Sequence, residues 1–131
     1  MNTKPLTYLL ALTFLFLFSG SSVVFGSDLD DGADAYQKQD YKTAHKLWFP
    51  LAEQGEARAQ YNVGLMYANG RGVPQDYVLA HMWWNLAGSN GVKEVEAFSA
   101  VVNRNIVEKR MTPSQIAEAQ RLARNWKPTK E

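Results

Sequence analysis

Cysteine is absent from all 131 residues. That excludes disulfides, thiolate nucleophiles, iron–sulfur clusters and zinc sites with cysteine ligands. Histidine is almost as scarce, with two residues, His45 and His81. An excess of one charge is also missing: 14 Lys+Arg stand against 13 Asp+Glu, so no strong field draws the chain toward nucleic acid or anionic lipid. No apolar run reaches the roughly 20 residues that span a bilayer. The length allows one small domain and excludes a multidomain enzyme.

The first 26 residues are unlike the rest. They hold 15 of the hydrophobic residues and four of the six phenylalanines. Lys4 precedes an apolar run from Leu6 to Phe18, interrupted only by Thr7 and Thr13, and Val24-Phe25-Gly26 puts small residues at −3 and −1 of a cleavage site. This order, positive then apolar then small, predicts a secretory signal peptide over 1–26, cut after Gly26. The other reading is an uncleaved N-terminal anchor stretching through Phe25. With no cysteine after the leader, lipoprotein anchoring is excluded. The expected location is therefore exported, periplasmic or secreted, with no stable membrane insertion once the leader is gone. The remaining 105 residues must hold together by packing alone, and a chain of that size buries roughly 65% of its unfolded surface.

Within this remainder the sequence repeats. Shifted by 36, DYKTAHKLWFPLAEQG (40–55) falls on DYVLAHMWWNLAGSNG (76–91), with six of 16 positions identical; chance gives about one. Tyr41, Ala44, Trp48 and Leu51 stand at spacings 0, 3, 7 and 10, as do Tyr77, Ala80, Trp84 and Ala87, which is one face of a helix. Gly55 and Gly91 follow where a left-handed residue can close the last turn. A partner helix is clearest over 56–69, where Ala57, Tyr61, Gly64, Leu65 and Ala68 form a stripe. Gly64 costs about 1 kcal/mol of helix propensity against alanine, and close helix approach is the expected compensation. The segment from Asn69 to Pro74, with Gly70, Arg71 and Gly72, breaks the helix, and Asp76 can cap the next one.

Upstream, Asp30 to Lys38 reads as a shorter first helix. Downstream, Val92 to Arg110 is helical in composition, with Val95, Phe98, Val102 and Ile106 along one side. Thr112-Pro113-Ser114-Gln115 has the form of a capping box with proline at the first helical position and opens a last helix through Trp126. Residues 127–131 read as a frayed tail. The predicted fold is all-α: a short α/α solenoid of about three helix pairs over 27–126, the last pair acting as a cap.

These residues resemble the Sel-one-like repeat (SLR) family, relatives of tetratricopeptide repeats. Ala59, Val63, Gly64, Tyr67, Gly70, Gly72, Val73, Asp76, Ala80, Trp83 or Trp84, Ala87 and Gly91 fill its pattern in order. The best full repeat is 57–92, with a partial copy over 33–56. The resemblance implies a scaffold for protein–protein contacts, often in bacterial envelope, secretion or signalling assemblies. Some exported members rich in cysteine have had β-lactamase or penicillin-binding activity attributed to them, and this sequence departs from them in having no cysteine.

Residue chemistry adds no catalytic or metal centre and no cofactor site. The two histidines occupy equivalent positions of successive helices, about 10 Å apart if stacked, too far to share a metal without a ligand between. Beyond residue 26 there is no G-x-S-x-G or S-x-x-K motif that would set up a serine nucleophile. Asp28, Asp30 and Asp31 lack EF-hand spacing and read as a disordered lead-in, and Gly70-Arg71-Gly72 is a repeat turn without the strand and G-K-[ST] of a phosphate loop. Of the adjacent tryptophans, Trp84 holds the core stripe, leaving Trp83 as second-layer packing or a partly exposed anchor. The expected function is a non-catalytic adaptor that binds another envelope or periplasmic protein. Tyr61, Asn62, Met66, Arg71 and Trp83 are the candidate contact residues, since aromatic and arginine side chains dominate interfaces. The alternatives are a hydrolase acting on peptidoglycan or a β-lactam, and a self-associating structural module.

Overall fold

A computed structural model describes residues 27–90 and 94–129, all of whose regular structure is helical. Six helices follow one another: α1 (27–37), α2 (Tyr41–Glu53), α3 (Ala57–Asn69), α4 (Tyr77–Asn90), α5 (Glu94–Glu108) and α6 (Pro113–Asn125). The leader 1–26 and Gly91 lie outside the described residues.

Short polar and glycine signals set the boundaries. Asp40 caps α2 by accepting from the Thr43 backbone N–H at 3.2 Å and from its hydroxyl at 2.7 Å. Two hydrogen bonds to one carboxylate favour its charged form, and they hold Asp40 below the usual range. Asp76 caps α4 through the Leu79 N–H at 3.0 Å. Thr112 and Gln115 close the expected capping box reciprocally at the start of α6. Gly55 (φ +96°) ends the α2 turn, and the loop after α3 turns through Gly70 (φ +64°) and Gly72 (φ +74°). A Cβ on Gly72 would stand 2.6 Å from the Tyr41 carbonyl, so this loop lies directly against the start of α2.

One contact, made twice, joins each helix to its partner. Trp48 of α2 donates its indole N–H to the Leu29 carbonyl of α1 at 3.0 Å, and Trp84 of α4 donates to the Tyr61 carbonyl of α3 at 3.1 Å. Both rings lie over a glycine, Gly32 and Gly64, where a Cβ would collide with the indole. The tryptophans are 36 residues apart, but the glycines and the accepting carbonyls are 32 apart. The difference is loop length: residues 38–40 join the first pair and 70–76 the second.

Helix α4 is the centre of the molecule, packing on α3, α5 and α6. Ala80, Trp84 and Ala87 meet Ala100 and Val107 of α5, Met111, and Ala119 of α6. Met82, Trp83 and Leu86 join Trp48, Leu51 and Ala52 of α2 in a second cluster. Trp83 and Trp84 are therefore both core residues, 4% and 3% exposed. Trp83 takes the edges of Phe49 and Trp126, which corrects the reading of it as an exposed anchor.

Three other expectations need correction. Asp28, Asp30 and Asp31 lie in helix α1, whose Leu29 is buried, so they are no disordered lead-in. Helices α5 and α6 do not form a hairpin with each other, because α6 runs back across α4 and brings Leu122, Ala123 and Trp126 to the cluster of Trp48 and Trp83. The start of the tail is docked, the Thr129 N–H donating to the Glu53 carbonyl at 2.9 Å. Phe98, Val102 and Ile106 share one side of α5, as their spacing implies, and that side is exposed.

Candidate interaction surface

Helices α3 and α5 stand side by side over the N-terminal half of α4, and an open groove of about 350 Å³ runs between them. Its apolar wall comes from Leu65 and Ala68 of α3, Trp84 of α4, and Ile106 and Val107 of α5. Polar groups ring it: Asn69, Gln75, Tyr77, Asn103 and Arg110. Among the described residues no carboxylate lines it, and the one formal charge there is the guanidinium of Arg110.

These polar groups are held in place from several elements. Gln75, in the loop, donates to the Ala68 carbonyl at 2.9 Å and to the Tyr77 hydroxyl at 3.2 Å. The same hydroxyl accepts from Arg110 at 3.3 Å. Asn103 donates to the Tyr61 hydroxyl at 3.2 Å, tying α5 to α3. Carboxamides both donate and accept, as a peptide bond does, so the rim chemistry suits a protein chain lying across an apolar floor.

The candidates drawn from sequence divide sharply. Tyr61 and Asn62 are half-buried on α3, and Tyr61 supports the groove through Asn103. Met66 is completely buried between the helix pairs and offers no surface, a second correction to the contact set after Trp83. Arg71 is exposed, yet its guanidinium is occupied. It donates to the Tyr36 hydroxyl at 2.7 Å and lies 5.6 and 5.4 Å from the Tyr36 and Tyr41 ring centres. The Tyr36 hydroxyl keeps it above its ordinary value. Arg71 therefore clasps the first pair from the second pair's loop. The groove residues Asn69, Gln75, Asn103 and Arg110 escaped sequence reasoning, because four separate segments contribute them and none is part of the repeat pattern.

The histidines, equivalent in sequence, differ in surroundings. His45 stacks on Phe49 at 5.0 Å between ring centres and meets Tyr67 edge-on at 6.3 Å. Its Nε2 is buried without a partner, and desolvation holds its pKa below the ordinary 6.5. His81 is fully buried, with Nε2 2.7 Å from a Glu108 carboxylate oxygen of α5. Each joins its repeat to the helix that follows, His45 to α3 through Tyr67 and His81 to α5 through Glu108, and among the described residues no three His, Asp or Glu side chains converge as metal ligands would.

Compared with known families, the sequence matches the Sel1 repeat twice in succession, over residues 29–56 and 57–92. The two matches cover the α1–α2 and α3–α4 pairs, each closed by one of the tryptophan–glycine contacts. No curated protein matches the sequence.

Proposed function

Because the chain belongs to the Sel1-like repeat family, whose repeats mediate contacts between proteins, we propose that it is a non-catalytic adaptor of the bacterial cell envelope, gripping a partner protein in the α3–α5 groove. The observation that carries this reading is the groove itself: an apolar floor with a carboxamide rim, one cation and no acid. A partner segment with a carboxylate beside an aliphatic side chain complements it, the carboxylate meeting Arg110 and the side chain meeting Leu65, Ile106 and Val107.

Export rests on the leader. Cleavage after Gly26 would leave the new ammonium of Ser27 at the first described turn of α1, where the helix dipole disfavours positive charge. Asp28, Asp30 and Asp31 lie within that turn and the next and offset it. Among the described residues no helix is long and apolar enough to cross a membrane.

The test is a photo-crosslinking residue placed at Asn69 on the groove rim, with exposed Lys46 of α2 as control, followed by fractionation of source cells. Capture of one saturable periplasmic partner from Asn69 and not from Lys46 is the expected result. Equal capture from both positions, or a chain that stays in the cytoplasm with its leader intact, would sink the proposal.

A further inference from the structure

Two cross-links tie α3 to α5, and the groove lies between them. At one end Asn103 donates to the Tyr61 hydroxyl. At the other, Gln75 donates to the Ala68 carbonyl and to the Tyr77 hydroxyl, and Arg110 donates to the same hydroxyl. Both links join positions 42 residues apart, 61 to 103 and 68 to 110, so the two helices run parallel and in register. Helix α3 rises about 10 Å from Tyr61 to Ala68. An extended chain advances about 3.3 Å per residue, so about three residues fit between the links. A helix, about 10–12 Å wide with its side chains, does not enter a groove of about 350 Å³, a volume at the low end of small-ligand sites.

The hydrogen bonds already made decide what the walls still offer. A carbonyl only accepts, so Ala68 takes the Gln75 amide N–H and leaves the Gln75 carboxamide oxygen as an acceptor. The Tyr77 hydroxyl accepts from both Gln75 and Arg110, and its own proton is left to donate. Arg110 only donates, and among the described residues its one hydrogen bond is to Tyr77. Two donor groups, one of them cationic, thus stand 3.3 Å apart at one end of the groove. That pair matches the two oxygens of a single carboxylate. Beside it, the Gln75 oxygen suits a peptide N–H, and Leu65, Trp84 and Ile106 suit an aliphatic side chain.

We propose that the groove captures a chain end: the last two or three residues of the partner protein, with the free α-carboxylate on Arg110 and the Tyr77 hydroxyl and an aliphatic final side chain on the apolar floor. The proposal rests on the groove being the partner site. A carboxylate, a backbone N–H and an apolar side chain within so short a span are what the final residue of a protein presents. An acidic side chain in mid-chain would instead carry its backbone onward across one of the two links. Tyr77 is then a specificity residue, since its hydroxyl completes the carboxylate site that Arg110 begins.

Fluorescence anisotropy tests this with labelled oligoalanine peptides ending in leucine or valine, titrated with the purified protein to about 1 mM. Each is compared with its C-terminal amide and with an amidated peptide carrying aspartate and leucine in mid-chain. The free acids should bind saturably and both amidated forms at least tenfold more weakly. Tyr77→Phe and Arg110→Gln should each weaken the free acid at least tenfold, with unfolding midpoints close to the parent's, while Lys46→Gln on α2 changes nothing. An amide that binds as well as its acid overturns the inference, as does full affinity in Tyr77→Phe. Tighter binding of the mid-chain peptide also overturns it, yet keeps the groove as the partner site. If no peptide binds, the chain-end inference falls, and capture from Asn69 judges the adaptor reading separately.

Discussion

Replacing Gly64 by alanine sets two effects of known size against each other. Alanine in a helix interior gains about 1 kcal/mol over glycine. The new methyl, however, would sit 2.5 Å from Nε1, 2.7 Å from Cδ1 and 3.0 Å from Cε2 of Trp84, where carbon contacts settle near about 3.5–4.0 Å. The indole must withdraw by about 1 Å from a site where it is 3% exposed, and overpacking of that kind costs about 1–3 kcal/mol. The same movement stretches the 3.1 Å bond from Nε1 to the Tyr61 carbonyl beyond hydrogen-bonding range, leaving a buried donor unpaired at about 1–3 kcal/mol. The balance is a net loss near 3 kcal/mol. Urea unfolding followed by circular dichroism should show a lowered midpoint at unchanged slope. In a Trp84→Phe background, which removes both the N–H and the colliding edge, the same substitution should cost less by at least about 1 kcal/mol. A Gly64→Ala protein as stable as the parent, or more so, would refute the close helix contact and leave propensity as the whole effect.

Further outcomes follow from the same geometry. Trp84→Ala should cost about 3–5 kcal/mol in the same unfolding assay, as the loss of a large core ring does; a near-zero change would break the repeat-face argument. Thr112→Ala should cost about 1 kcal/mol by removing the capping box of α6, read as a lowered unfolding midpoint. His45 binds protons less readily folded than unfolded, because burial lowers its pKa from 6.5. Its contribution to stability is therefore complete above pH 6.5 and is lost as pH falls through its folded value. His45→Leu should flatten the acid-side slope of stability below pH 6.5, measured by unfolding at a series of pH values; an unchanged slope would place the titration elsewhere.

The second-layer helices were legible in the sequence because the segments from Asp40 to Gly55 and from Asp76 to Gly91 have the same length, so one shift of 36 aligns Tyr41 with Tyr77 and Trp48 with Trp84. The first-layer helices follow a shift of 32, hidden by the four extra residues of the loop at 70–76, and so Gly32 went unnoticed beside Gly64. Periodicity also misread α4. An amphipathic rule gives a helix one buried face, and it chose Trp84 over Trp83. But α6 folds back over the other side, and both rings are enclosed. In α5 regular apolar spacing marks a face able to be covered, and the path of α6 over α4 leaves Phe98, Val102 and Ile106 exposed. Met66, read as a contact residue, instead has its side chain filling the space beneath the Gly72 loop. The groove was invisible for a simpler reason. Asn69, Gln75, Asn103 and Arg110 mean little until two helices and two connecting segments bring them together.

The adaptor reading stands on the groove, and affinity for the captured partner tests it most directly. Titration calorimetry of that partner against the purified protein, and against Asn103→Ala with Arg110→Glu, compares an intact rim with one stripped of a carboxamide and reversed in charge. The account predicts at least a tenfold weaker affinity for the double variant, with its unfolding midpoint close to the parent's. An affinity equal to that of the unaltered protein would contradict it and move the binding surface out of the α3–α5 groove.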